Sequence, residues 1–122
     1  MDHHFDDDKP LFLQIAERIE ESILDGSISE GERIPSTNEL AKHYQINPAT
    51  AGKGINQLVD QEIIYKKRGI GMFVAERART IILKKRQSEF YDEYIIPLKA
   101  EAKKLGISTS ALIQFIKEDE EK

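Results

Sequence analysis

Two closely spaced helix-start signals, followed by a basic, glycine-containing hairpin pattern, predict a mainly α fold with a small β-hairpin, arranged as a winged helix-turn-helix. Ser36 followed by Glu39 is a capping box, in which a hydroxyl and a carboxylate satisfy free amides at a helix start. A helix is therefore expected to begin at Thr37, with Leu40, Ala41 and Tyr44 as its apolar positions. Asn47-Pro48 is the second start, because Asn accepts a bond from the first turn while Pro has the φ of the first helical position and no amide to leave unpaired. That helix should run from Pro48 to about Asp60. The link from Tyr44 to Ile46 is so short that the two helices must cross steeply, and the second presents its N-terminal turns outward.

The wing follows from residue type. Ile63, Ile64 and Tyr65 are β-formers, Lys66-Lys67-Arg68-Gly69-Ile70-Gly71 combines three cations with turn glycines, and Met72-Phe73-Val74 is apolar again. This reads as a β-hairpin with a basic tip. Before the two helices, Phe12, Ile15, Ile19 and Ile23 predict an amphipathic bracing helix that Asp25-Gly26 ends, and Ile28 and Ile34 flank a polar turn and help to close the core. After Val74, Ile81, Ile82, Phe90, Tyr94, Ile95, Leu98, Ala102 and Leu105 recur at helical steps, with Pro97 expected to kink or break the helix. Gly106 supplies a stop, Ser108 caps a last helix with Leu112, Ile113, Phe115 and Ile116 on its apolar face, and Glu118 to Glu121 form a solvated tail. Two helices cannot bury those faces within one chain, whereas pairing with a second copy can.

Composition bounds the function. At 122 residues the chain is one small domain, or a domain plus an appendage, with a core near the lower end of what stands alone. The sequence has no cysteine, which removes disulfides and thiolate chemistry, and no long apolar run or signal-type N-terminus, so a cytoplasmic location without membrane contact is expected. His3, His4 and Asp6 to Asp8 are metal-binding residue types in a pattern that fixes no geometry, so residues 1–9 are expected to be a disordered acidic leader and no metal or cofactor is expected. No nucleophile, histidine and carboxylate group as a triad, and Gly69-x-Gly71 lacks the spacing of a dinucleotide loop, so an enzyme is not expected.

Net charge is −4, but its distribution decides the partner. Between Lys42 and Arg86 ten cations face three acids, a local +7, while the acids gather at the two ends and in the first helix. A basic middle in an acidic whole suits a protein that meets DNA with one face.

The stretch from Pro10 to Val74 resembles the N-terminal domain of the GntR family of bacterial transcription regulators. The resemblance is carried by Pro10-Leu11 with Gln14-Ile15, Gly26, Gly31-Glu32-Arg33-Ile34-Pro35-Ser36, Glu39-Leu40-Ala41, Leu58, and Ile64 through Gly69-x-Gly71-x-Phe73-Val74. Asn47-Pro48-Ala49-Thr50 and the short segment after the hairpin are similar to the YtrA-type subfamily. The resemblance implies a DNA-binding domain over residues 10–75 and a helical dimerisation segment over 76–122. It also marks a departure: the wider family usually has Arg at the places of Asn38 and Pro48, and often at Gly52, and all three guanidinium groups are missing here. Pro48 fits the YtrA-type pattern; Asn38 and Gly52 remove donors that would hold a phosphate or a guanine edge.

The DNA-facing residues expected on this frame start with Ser36, Thr37 and Asn38 at the first helix start, where a phosphate can meet free amides. Asn47, Ala49, Thr50 and Lys53 open the recognition helix, with the Ala49 methyl suited to a thymine methyl and Lys53 to base edges. Lys67, Arg68, Gly69 and Gly71 form the wing tip. Gly54 is suited to close helix packing, while the residue pattern gives no account of Gly52. The function expected is a homodimeric transcription regulator, a repressor, on a pseudo-palindromic double-stranded operator. Two alternatives stay open: a winged protein-interaction module with little DNA affinity, and a small-molecule sensor. Residues 76–122 are too few to enclose a pocket of about 300 Å³ within one chain, so an effector would have to lie at the dimer interface.

Overall fold

Four-residue spacing places Ile15, Ile19 and Ile23 on one stripe of α1 (Leu11–Leu24), and all three are buried. The computed structural model describes residues 5–118. α2 (Thr37–Tyr44) and α3 (Pro48–Asp60) start where the capping signals place them. The Asn47 carboxamide oxygen accepts the Ala49 N–H at 2.8 Å. Gln45 turns the chain between the helices with φ 56°, in the left-handed region, and the Ile46 N–H reaches back to the Ala41 carbonyl at 2.9 Å.

α3 lies closely on α1 because Gly54 has no side chain. A Cβ there would stand 2.7 Å from the Phe12 carbonyl oxygen and 3.3 Å from Ile15. Ala51, Ile55 and Leu58 complete the inner face of α3 and meet Leu40, Ala41 and Tyr44 of α2 in the same core.

The wing is an antiparallel pair, β1 (Ile64–Lys67) and β2 (Gly71–Val74), in the register Ile64 to Val74 through Lys67 to Gly71. The strands absorb more of the basic stretch than expected. Lys66 and Lys67 lie in β1 and Gly71 opens β2, which leaves Arg68-Gly69-Ile70 as the turn, closed by the Ile70 N–H on the Lys67 carbonyl at 2.9 Å. A further edge was not legible in the sequence. Arg33 bridges Phe73, the Ile34 N–H donates to Met72 and the Val74 N–H to Glu32, both at 2.9 Å, so residues 32–34 extend the sheet on the far side of β2. Glu30-Gly31-Glu32-Arg33 has no alternation of apolar and polar residues to announce it.

Two boundaries differ from expectation. Over its described part the leader lies against α1: Gln14 Nε2 donates to the carbonyls of Asp6 at 2.8 Å and Lys9 at 2.9 Å, its Oε1 accepts the Asp6 N–H at 2.8 Å, and the Arg18 guanidinium stacks 4.1 Å from the Phe5 ring. His3 and His4 fall outside the described residues. At the other end, the first compact unit closes at Leu83 rather than after the wing, because Ala78 and Ile82 of α4 (Ala78–Phe90) are fully buried in its core. Arg79 Nη1 also donates to the Leu24 carbonyl, where a cation suits the negative end of α1.

The second unit begins at Lys84. Pro97 does not break the helix. The chain passes from α4 through a π-turn (Tyr91–Ile95) into α5 (Ile96–Lys104), with the Ile96 N–H bonded five residues back to Tyr91. The wider turn accommodates a residue that lacks an amide and whose ring crowds the preceding turn. Gly106, at φ 72°, ends α5, and Ser108 Oγ accepts the Ala111 N–H at 3.1 Å to cap α6 (Thr109–Glu118). The expected solvated tail beyond Glu118 lies outside the described residues.

The two α3 glycines are expected to respond oppositely to alanine. Helix propensity favours Ala by about 1 kcal/mol at either position. At Gly52 a Cβ meets Thr37 Cγ2 at an ordinary 3.6 Å, so Gly52→Ala should raise stability by up to about 1 kcal/mol. At Gly54 the helices must part, and overpacking of about 1–3 kcal/mol should outweigh the propensity gain. Thermal unfolding of the two variants checks this: Gly52→Ala should melt above the parent and Gly54→Ala below it.

Candidate nucleic-acid interface

The capping box that starts α2 also builds one wall of a groove. Ser36 Oγ accepts the Glu39 N–H at 3.1 Å and Glu39 Oε1 accepts the Ser36 N–H at 3.0 Å. These two bonds fix the first turn of α2 beside the wing. Between them runs a groove of about 460 Å³. Ser36, Thr37 and Asn38 line one side, Lys67, Gly69 and Gly71 the other, and Ile55 and Asn56 of α3 also line it.

Six of the eleven residues expected to face DNA thus share one groove. The other five lie elsewhere. Asn47 is spent on capping α3, although it stays exposed; Ala49 is exposed and Thr50 half-buried on its first turn; Arg68 is exposed at the wing turn. Lys53 is also exposed, but its ammonium stands 4.1 Å from the Phe12 ring centroid, on the α1 side of α3. An interaction of this kind contributes roughly 0.5–1 kcal/mol at an exposed site, weak enough for a phosphate or base edge to compete with it.

Electrostatics in the groove come from few groups. Lys67 Nζ lies 4.7 Å from the Phe73 ring, which stacks on Tyr65 with centroids 6.0 Å apart, so an aromatic pair on the wing supports the ammonium. Lys66 and Arg33 add positive charge, and Glu39 supplies a neighbouring acid. The Ser36 backbone N–H, assisted by its hydroxyl, holds the Glu39 carboxyl below the ordinary carboxylate range, with a smaller contribution from Arg33. Arg33, Asn56 and Lys66 line the groove without having been singled out as site residues in the sequence. For Arg33 and Asn56 the cue lies in tertiary contacts; Lys66 stands next to Lys67 in the basic run, and β1 ends two residues beyond the expected Tyr65, at Lys67.

A second cleft, of about 320 Å³, is lined by Lys99, Ala102 and Lys103 of α5 and by Ile107, Ser108, Thr109 and Leu112. It forms where the Gly106 turn folds α6 back beside α5, and it is an open cleft rather than an enclosed pocket.

A short α2, an outward α3 and a basic two-stranded wing around one groove define the class of winged helix-turn-helix regulators. The profile of the bacterial regulatory proteins of the gntR family matches residues 11–74, and the chain belongs to that family. It is 30% identical over 109 residues to the transcriptional repressor YtrA of Bacillus subtilis, which covers 89% of this chain and 83% of that protein. A GntR-family transcriptional regulator from Bacteroides thetaiotaomicron superposes with a TM-score of 0.80 at 37% identity over 91% of this chain and 96% of its own. The DNA-binding domain of AraR, in complex with operator ORX1, matches with a TM-score of 0.53 at 36% identity over 55% of this chain and 81% of its own. The chain is accordingly a YtrA-like, DNA-binding transcription regulator of a non-enzymatic family. Among the described residues no helix is long and apolar enough to cross a membrane.

The capping box carries a pH signature. Because the folded carboxyl of Glu39 titrates below its unfolded value, its contribution is present above the unfolded pKa of about 4.3 and is lost as pH falls through the folded value. Glu39→Gln keeps the acceptor but not the charge. The gap in melting temperature between parent and Glu39→Gln should therefore be larger at pH 7 than at pH 3; an equal gap at both would mean the charge adds nothing to the cap.

Proposed function

We propose that the protein is a cytoplasmic, homodimeric repressor that occupies a pseudo-palindromic operator, with α3 reading base edges and the wing and α2 start holding phosphates. The observation that carries the dimer is the surface of the second unit. Among its described residues Ala102 alone is buried, while Phe90 is 55% exposed, Tyr94 60%, Leu105 64%, Phe115 53% and Ile116 59%. Apolar surface on that scale is a poor match to a free monomer and a good one to a partner copy. The names of its relatives support the remainder: YtrA is a repressor, and the AraR domain is seen on operators.

Assembly is tested on the full chain by Phe115→Glu with Ile116→Glu. Sedimentation should show the parent as a dimer and the double variant as a monomer. The variant should bind DNA from upstream of its own gene at least ten-fold more weakly, since linked heads gain avidity. Footprints of the parent should show two half-sites about 10 bp apart or a multiple of that. A monomeric parent with one unrepeated half-site would overturn the proposal.

Reader and anchor separate by salt and sequence. Lys53→Ala should cost about 1–3 kcal/mol on operator DNA and relax preference at one position per half-site, once the ammonium leaves Phe12 for a base edge. Replacing Lys67 and Arg68 should weaken operator and scrambled duplex alike and flatten log K against log salt by about 0.9 for every phosphate that no longer meets a cation. Titrating both variants on both duplexes at several salt concentrations distinguishes the roles, and the reverse pattern would exchange them.

A further inference from the structure

Arg33 is anchored by its backbone and presented by its side chain. Its main chain is fixed at the edge of β2 through the bridge to Phe73 and the neighbouring Ile34 and Val74 hydrogen bonds. Its side chain then crosses the face of Gly71. A Cβ on Gly71 would stand 2.7 Å from Arg33 Nε and 3.4 Å from its Cδ, and Gly71 itself has φ 145°, a conformation that side-chain-bearing residues rarely adopt. The missing Cβ is thus the slot through which the guanidinium reaches the groove lined by Ser36, Thr37, Asn38, Lys66 and Lys67.

The guanidinium is not consumed where it lies. Its charged neighbour is Glu39, with Nη2 3.7 Å from Oε1, beyond hydrogen-bond distance, and that same oxygen already accepts the Ser36 N–H at 3.0 Å. Both side chains are about half exposed, at 49% and 59%, so the pair is screened and weak. A planar group with five fixed donors, beside the opening amides of a helix and two lysines, matches the geometry of a phosphate oxygen pair.

We propose that Arg33 is a phosphate-binding residue of the DNA interface, slotted across Gly71 between the start of α2 and the wing. The assignment rests on the DNA-binding reading of this groove. On binding, the guanidinium exchanges the distant Glu39 carboxylate for the nucleic-acid backbone, an interaction that carries register and affinity but no base preference.

The test uses the full chain, a duplex from upstream of its own gene and a random-sequence duplex, each titrated across salt concentrations. Arg33→Gln should lower affinity for both duplexes about ten-fold and flatten the salt dependence by about 0.9 per head. Arg33→Lys should restore the slope but only part of the affinity, because it returns the charge without the planar fork. Lys117→Gln, the same charge change on α6, should leave the slope as it was. If the parent binds and Arg33→Gln binds equally with an unchanged slope, the assignment of Arg33 is overturned while the interface stands. If Arg33→Gln and Lys117→Gln flatten the slope alike, the effect is one of net charge and the assignment is likewise overturned. If the parent binds neither duplex, the interface falls and Arg33 with it.

Discussion

The close approach of α1 and α3 at Gly54 is the constraint on which the rest of the first unit depends. With the Phe12 carbonyl occupying the space of a Cβ, α3 lies against α1 at backbone distance, and Ile15, Ala51, Ile55 and Leu58 interlock around the meeting point. That distance sets how far the outer face of α3 stands from the core. It also puts Lys53 over Phe12 and Gly52 against Thr37, so the start of α2 is located by the same packing. A helix interior usually disfavours glycine; here the lost propensity is exchanged for depth of packing.

A second glycine plays the matching part on the wing. Gly71 opens β2 with a backbone angle suited to glycine, and its empty side admits Arg33 from the segment that extends the sheet. That segment leads directly into Ser36 and the capping box. The wing and the start of α2 are therefore parts of one hydrogen-bonded run, from β1 through β2 and residues 32–34 to Glu39. Groove geometry is thereby set by the backbone, and the cations along it are mounted on fixed supports: Lys67 over Phe73, Arg33 across Gly71. The cations of the basic middle divide by role, since Arg79 is turned inward to the end of α1.

The second unit obeys different rules. Its helices form from good local signals, with Gly106 and Ser108 as stop and start, and the π-turn at Tyr91–Ile95 carries the helix past Pro97. What it lacks is an interior: Ala102 is buried, whereas the aromatic and aliphatic side chains around it stay in solvent. Helices of this length are marginal on local propensity alone, and the apolar faces that would stabilise them by packing stay exposed.

Much of this was legible from residue order because it is local. The capping box at Ser36 and Glu39, the Asn47-Pro48 start, the four-residue isoleucine spacing of α1, and the order of β-formers, cations and glycines each depend on neighbours within a few positions; the helix signals lie where the sequence places them, and the hairpin does too apart from strand ends that reach into the basic stretch. Contacts between distant segments were not legible: the Gln14 clamp on the leader, the slot at Gly71 and the pairing of residues 32–34 with β2 join positions eight to forty-two residues apart, and Ala78 and Ile82 are buried in a core drawn from the whole first unit. Side-chain direction was hidden likewise, so a lysine read as pointing outward rests over Phe12, and an arginine read only as part of a motif lies in the groove. Helix and strand starts follow from short-range hydrogen bonding and periodicity, which the sequence alone determined; which faces meet, and where each cation comes to rest, is decided by packing across the chain, and that only the tertiary structure supplies.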